Sequence, residues 1–205
     1  MKNRFVPRKR PVQRRSQATV DAILDAAAQV LRKKGYAKTT TNTIAERAGV
    51  SIGSLYEYFP NKDAVFAALQ EKLHRAQFAS VISQISIAAT ASAKDVIEKV
   101  LSARISSALE QPDIVTILEE QVPAQVFQAQ RAKDFEDFSQ IMAAFAETHA
   151  DQIRIKHIDT AISLGIQMVD LTIRHLASHQ PDLLRDPNVL HELTDMMCRY
   201  ILNDD

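Results

Sequence analysis

Hydroxyls, two tyrosines and a lysine crowd into residues 40–62 in a pattern suited to nucleic acid. Thr40, Thr41, Ser51, Tyr56 and Tyr58 each carry a hydroxyl donor, and Lys62 a cation, of the kind that hold DNA by its phosphates, while the Ser54 hydroxyl can approach base edges. Among them lie Ile52, whose apolar side chain can touch a thymine methyl, and Gly53, which admits a close approach to base edges. Elsewhere the chemistry thins out. His175 and His179 have the i, i+4 spacing of a helical metal pair, but no third ligand stands at a persuasive offset. The single cysteine, Cys198, sits beside Met196 and Met197 and reads as a buried, inert thiol. There is no Gly-rich phosphate loop, no nucleophile elbow and no framed pair of carboxylates. Neither catalysis nor a metal or cofactor is expected.

Residues 41–59 read as two short helices joined by the turn Ala48-Gly49-Val50-Ser51. Gly49 tolerates the positive φ that a sharp reversal needs, and Ser51 can cap the second helix. Ile44, Ala45 and Ala48 give the first helix a narrow apolar face, while Leu55 and Phe59 anchor the second. That leaves Ile52, Gly53, Ser54, Tyr56 and Tyr58 to meet a partner. For the two tyrosines the competing expectation is core packing, with Tyr56 the more buried. Asn61 suits the cap of the following helix and Asp63 its positive end. Lys62 opposes that dipole, so a phosphate partner would explain it; the alternative is a solvated lysine.

These residues resemble the DNA-binding domain of the TetR family of bacterial regulators, in a run from about Arg15 to Leu73. The matching positions begin with Ile23-Leu24-Asp25-Ala26-Ala27, Leu31, Gly35-Tyr36 and Thr39-Thr40-Thr41. They continue through Ile44-Ala45, Ala48-Gly49-Val50-Ser51, Gly53, Leu55-Tyr56, Tyr58-Phe59, Asn61-Lys62-Asp63 and Leu69. One position departs: the residue after Ser51 is often lysine in the family and here is Ile52. The resemblance implies that Tyr56 and Tyr58 reach phosphates, that the last two long helices form a four-helix dimer interface, and that a small-molecule effector binds between the middle helices.

The formal net charge is zero, yet its distribution is not neutral. Residues 1–75 carry a net +9 and residues 76–205 a net −9, one part that seeks phosphate and another that does not. Residues 1–15 hold seven basic side chains and no acid, so an unpacked, disordered arm is expected, lying along DNA or merely solvated. One cysteine, no secretory h-region and no apolar run near ~18 residues point to a cytoplasmic protein with no membrane span.

Helical periodicity recurs along the chain and no segment alternates with period two, so the expected fold is all-α with about nine helices. The first helix spans about 16–34 and stops at Gly35; the fourth runs from 62 into the eighties. A loop near 87–93 leads to a helix capped by Ser92; others span about 113–121, 124–150, 157–178 and 187–202. The domain reading is a basic arm (1–15), a helix-turn-helix head (16–75) and a helical effector-binding and dimerisation domain (76–205). Effector candidates are Leu101, Ile105, Ile117, Phe127, Phe135, Phe138, Ile141, Met142 and Phe145, for which plain core is the competing reading. Helices at 157–178 and 187–202 are apolar over more than one stripe, which calls for burial on two sides, by their own domain and by something else; the resemblance implies that this is a second copy. The expected protein is a homodimeric repressor that binds a palindromic double-stranded operator and is released by a largely apolar small-molecule effector. The rivals are an all-helical carrier or enzyme with an incidental helix-turn-helix, a non-specific DNA or chromatin protein, and an activator in place of a repressor.

Overall fold

The computed structural model describes residues 4–9, 14–87 and 91–203. The helices are α1 (Arg14–Lys38), α2 (Thr41–Ala48), α3 (Ile52–Tyr58), α4 (Lys62–Ile87), α5 (Ala93–Glu110), α6 (Pro112–Gln121), α7 (Gln128–Thr148), α8 (Ile158–His179), α9 (Pro181–Leu184) and α10 (Pro187–Ile201). Among the described residues there is no strand, only an isolated bridge between Ile153 and Leu202. The fold is all-α. Four-residue α9 and the 3-10 turn at Ala124–Val126 are additions to the expected plan. The turn displaces the start of α7 to Gln128, because Pro123 and an out-of-line Phe127 interrupt the run. Of the anticipated loop at 87–93, residues 88–90 lie outside the described residues.

Local chemistry accounts for most of the boundaries. Gly35, at φ 71° and ψ 169°, breaks α1. Thr40 and Thr43 cap α2 reciprocally, each side chain accepting from the other's backbone N–H (3.2 and 3.1 Å). Gly49 closes α2 in the left-handed region (φ 67°, ψ 28°), returning its N–H to the carbonyls of Ala45 and Glu46. Asn61 caps α4 by accepting from the Ala64 N–H at 2.9 Å. Ser92 and Asp186 do the same for α5 and α10, the latter with Pro187 in the first turn.

The chain divides into two compact units, one made of residues 1–75 and 113–128, the other of 76–112 and 129–205. In the first, Ile23, Ala27, Leu31, Ile44, Leu55, Phe59, Val65, Phe66 and Leu69 form a closed core. Each large side chain so buried contributes about 1.5–3 kcal/mol. Residues 113–128 belong to this core: Ile114 and Leu118, one turn apart on α6, are fully buried in it, and Val122 and Phe127 follow. Arg32 clasps Asp113 with two donors, at 2.6 and 3.3 Å.

The second unit centres on Ile105 and Ala108 of α5, Ile173 and Ala177 of α8, and Leu184 of α9, with Val189, Leu190 and Leu193 of α10 packed alongside. Arg104 of α5 binds Asp170 of α8 at 2.8 Å. A Cβ at Gly165 would lie 3.0 Å from the Met197 methyl, so this glycine marks a close approach of α8 to α10. The opposite face of α8 has no cover in the single chain: Leu164, Met168 and Leu171 are exposed, as are Met196 and Tyr200 of α10. No described helix is long and apolar enough to cross a membrane.

Candidate nucleic-acid interface

The turn between α2 and α3 is held from beneath. Ile44 and Ala45 of α2 and Leu55 of α3 are buried, and Val50 packs partly into the same core. Ser51 caps α3 by accepting from the Ser54 N–H at 3.0 Å, and the two hydroxyls are 2.9 Å apart. With its inner face so fixed, α3 turns Ile52 and Tyr56 outward, each 39% exposed, with Ser51 and Gly53 beside them and Ser54 half-buried. Thr41, at the start of α2, lies 3.0 Å from the Tyr56 hydroxyl, so the two helices present a joined pair of hydroxyls at the surface. Thr40 is exposed and its hydroxyl is already engaged in capping.

Tyr58 lies elsewhere than its expected place beside Tyr56. It is 7% exposed and belongs to the core, so Tyr56 rather than Tyr58 is the solvent-facing tyrosine, the reverse of the expected order. Helix geometry explains this: Tyr58 stands three residues after Leu55 and next to Phe59, on the buried stripe, whereas Tyr56 is rotated about 100° away.

Lys62 also has a structural role that its sequence position hid. Its ammonium donates to the Tyr36 carbonyl at 2.9 Å and sits 4.4 Å from the centroid of the Tyr36 ring. The Tyr36 hydroxyl donates to Asp63, and burial together with that carboxylate pushes its pKa far above the usual phenol value. Arg4 completes the cluster 3.4 Å from Asp63. Lys62 is half-buried, and a lysine has three donors.

The basic arm departs from expectation as well. Residues 1–3 and 10–13 lie outside the described residues, but within residues 4–9 Phe5 is buried while Arg4, Val6, Arg8 and Lys9 stay exposed. Phe5 is 8% exposed within the core of the first unit. The Arg8 backbone N–H donates to the Tyr58 carbonyl at 2.7 Å, and its Nη1 donates to the Tyr56 carbonyl at 3.2 Å. A lone aromatic inside a run of cations was the available signal. It is the one residue of the arm with a strong reason to leave water.

The effector candidates scatter. Phe127 is a core residue of the first unit, apart from the rest of the set, and Ile117 is partly buried against that core too. Leu101 and Ile105 are buried on α5, the latter in the second unit's core. Phe135, Phe138, Ile141, Met142 and Phe145 of α7 are half-buried, Phe138 meeting Phe78 edge-on at 6.4 Å. A concave site of about 420 Å³ is lined by Ala143, Glu147 and residues 156–160, and none of the candidates borders it. His175 and His179 stack at 4.5 Å, and among the described residues no group of three or more possible metal ligands forms. Burial pushes the half-buried Cys198 thiol up, which disfavours its reactive thiolate.

Gly53 gives a clean test of proximity to a partner. Its backbone is helical, and an added Cβ would meet only the Ser51 hydroxyl at 3.7 Å. Gly53→Ala should therefore leave thermal stability unchanged or raise it by up to ~1 kcal/mol. If α3 approaches DNA closely there, operator affinity nonetheless falls. Calorimetric melting paired with fluorescence anisotropy separates the two effects, and unchanged affinity would place Gly53 away from the contact.

Residues 23–69 match the family model for bacterial regulatory proteins of the tetR family, and residues 92–201 that for the tetracyclin repressor-like C-terminal domain. The chain is 45% identical over 62 residues to YvkB, an uncharacterized HTH-type transcriptional regulator of Bacillus subtilis, covering 30% of this chain and 32% of that one. It is 42% identical over 59 residues to the HTH-type transcriptional regulator TtgR of Pseudomonas putida, covering 29% and 28%. These matches thus span about a third of the relatives' length. A solved regulator from Mesorhizobium loti superposes with a TM-score of 0.71 at 19% identity, over 91% of this chain and 96% of that one. SmeT, the repressor of the Stenotrophomonas maltophilia multidrug efflux pump SmeDEF, does so at 0.64 and 25% identity, over 92% and 93%. SmeT has also been solved in complex with triclosan. A helix-turn-helix head held outward by its core, and a helical remainder matched over 110 residues, meet in one conclusion: the chain belongs to the TetR family of bacterial transcriptional regulators.

Proposed function

We propose that the protein is a homodimeric repressor that binds a palindromic operator and is released by a small-molecule effector. The observation that carries this reading is the outward face of α3, where Ile52, Gly53 and Tyr56 are exposed on a helix that Leu55 and Tyr58 fix in its core. Thr41, Ser51, Tyr56 and Lys62 hold phosphates, while Ile52, Gly53 and Ser54 approach base edges in the major groove. Thr40 stiffens the entry to α2, and the buried Tyr58 supports α3 from below. The bare apolar faces of α8 and α10 favour a second copy as partner, within about residues 157–202. Two copies read two half-sites and so multiply specificity.

The triclosan complex of SmeT supports an effector that is largely apolar. Leu101, Phe138, Ile141, Met142 and Phe145 are its candidate contacts here. By linkage, operator and effector weaken each other's binding by the same factor. The same reading makes the protein cytoplasmic, where operator and effector meet.

Selecting binding sites from random DNA with the full-length protein tests the core of this reading. Two inverted half-sites centred about 34–36 Å apart are the expected result. Equal affinity for random and selected DNA at fixed salt would overturn it. On the selected site, Tyr56→Phe and Lys62→Ala should weaken binding alike across operator variants, and Lys62→Ala should lower the salt slope by about one charge per half-site. Changes at Ile52 or Ser54 should instead shift which bases are preferred. Because Lys62 also holds the Tyr36 carbonyl, its alanine variant should melt earlier too.

A further inference from the structure

The arm that precedes α1 is moored to the recognition helix itself, and the mooring leaves the Arg8 guanidinium facing out. Phe5 is sunk in the core of the first unit, and Arg4 is tied to Asp63. Three residues beyond Phe5, Arg8 reaches the far end of α3, binding the Tyr58 carbonyl through its backbone and the Tyr56 carbonyl through Nη1. Both carbonyls lie in the last turn of a seven-residue helix, where no following turn supplies a donor. A helix that short is marginal by itself, and a cation at its C-terminal end is favourably placed.

Those contacts do not exhaust Arg8. A guanidinium has five N–H donors in a planar fork, and one is used here. Arg8 is exposed, and neither an ion pair nor a bond from its Nε or Nη2 is found among the described residues. Tyr56, whose carbonyl it grips, is the tyrosine that turns its side chain outward and joins its hydroxyl to Thr41. The arm therefore sets a guanidinium, with donors to spare, at the exit of the helix that faces the partner. A planar fork of this kind matches the oxygens of a phosphodiester.

We propose that Arg8 is a backbone-phosphate ligand of the DNA interface, held in place by the same contacts that close the recognition helix. The inference rests on the DNA-binding reading above and adds a contact outside the helix-turn-helix. Arg8 has two roles, electrostatic towards DNA and positional towards α3, and they can be separated.

The test measures anisotropy of the selected operator fragment with the full-length protein over a salt series, for wild type, Arg8→Gln and Arg8→Lys. Arg8→Gln retains an amide donor for the Tyr56 carbonyl but loses the charge. Its slope of log affinity against log salt should fall by about one unit per protomer, near two for a dimer. Arg8→Lys should keep the wild-type slope, with weaker binding at every salt concentration. Melting curves report whether the head is intact in each variant; a lower melting point in Arg8→Gln leaves the slope of Arg8→Lys as the deciding readout. A wild-type slope in Arg8→Gln, or a Gln-like slope in Arg8→Lys, overturns the proposal while operator binding stands. No operator preference in the wild type would instead bring down the regulatory reading, and this inference with it.

Discussion

Glutamate at both Met168 and Leu171 should convert the protein into a monomer whose operator affinity is lower by about 100-fold or more. In the single chain these are the most exposed large apolar residues of α8, at 60% and 59%, and Leu164, Met196 and Tyr200 extend the bare surface. Folding of one chain does not need them, so the monomer should keep its helical content and lose little stability, within about 0.5 kcal/mol per site. A two-fold contact, by contrast, uses the same patch on both copies. Two substitutions per chain then bury four carboxylates against apolar surface, and each unpaired charge costs several kcal/mol. DNA binding should collapse with dimerisation, because separate chains cannot link their half-sites and the gain from effective concentration is commonly 100-fold or greater. Sedimentation equilibrium gives the mass, and anisotropy on the selected operator gives the affinity. A double mutant that remains dimeric would move the interface elsewhere.

Leu118→Ala should destabilise the first unit by about 2–5 kcal/mol, although the residue lies about sixty positions after the last helix-turn-helix residue. Leu118 is fully buried in the same cluster as Phe66 and Leu69. Truncation leaves a cavity that the surrounding close-packed core can fill only in part. Native stabilities run about 5–15 kcal/mol, so a third of the margin could go. At roughly 2–4 °C per kcal/mol for a chain of this length, the melting point should fall by about 10 °C. Operator binding at 37 °C should weaken in step. Leu183→Ala, at an exposed position of the other unit, is the control and should change little. A loss under ~1 kcal/mol at Leu118 would mean that residues 113–128 merely rest on the core.

Much of the first unit was legible from residue types alone. Gly49 in a left-handed turn and Ser51 and Asn61 as caps follow from the residue types at those positions. The placing of Tyr58 was within reach of the same reasoning, since a residue three positions from Leu55 shares its face; the family pattern drew it outward instead. The arm was harder. The composition of residues 1–15 implies an unpacked arm, yet Phe5, one phenylalanine among seven cations, is buried in the core of the first unit. In the second unit the periodicity gave the helices and the doubly apolar faces of α8 and α10. It did not say which of the aromatic residues between them share a surface.

What the sequence determined by itself is whatever a few neighbouring residues decide: helix spans, caps, the reversal at Gly49 and the uneven spread of charge. Capping and φ preference act within about four residues, so their outcome is written in the local order of side chains. Only tertiary structure decided which groups meet across the chain. Lys62 finds the Tyr36 carbonyl 26 residues back, Arg8 finds Tyr56 48 residues on, and Arg32 finds Asp113 across 81. Such contacts form because burying Phe5, Phe66 and Leu118 in one core brings distant segments together. That gain depends on the area removed from water and is blind to distance along the chain.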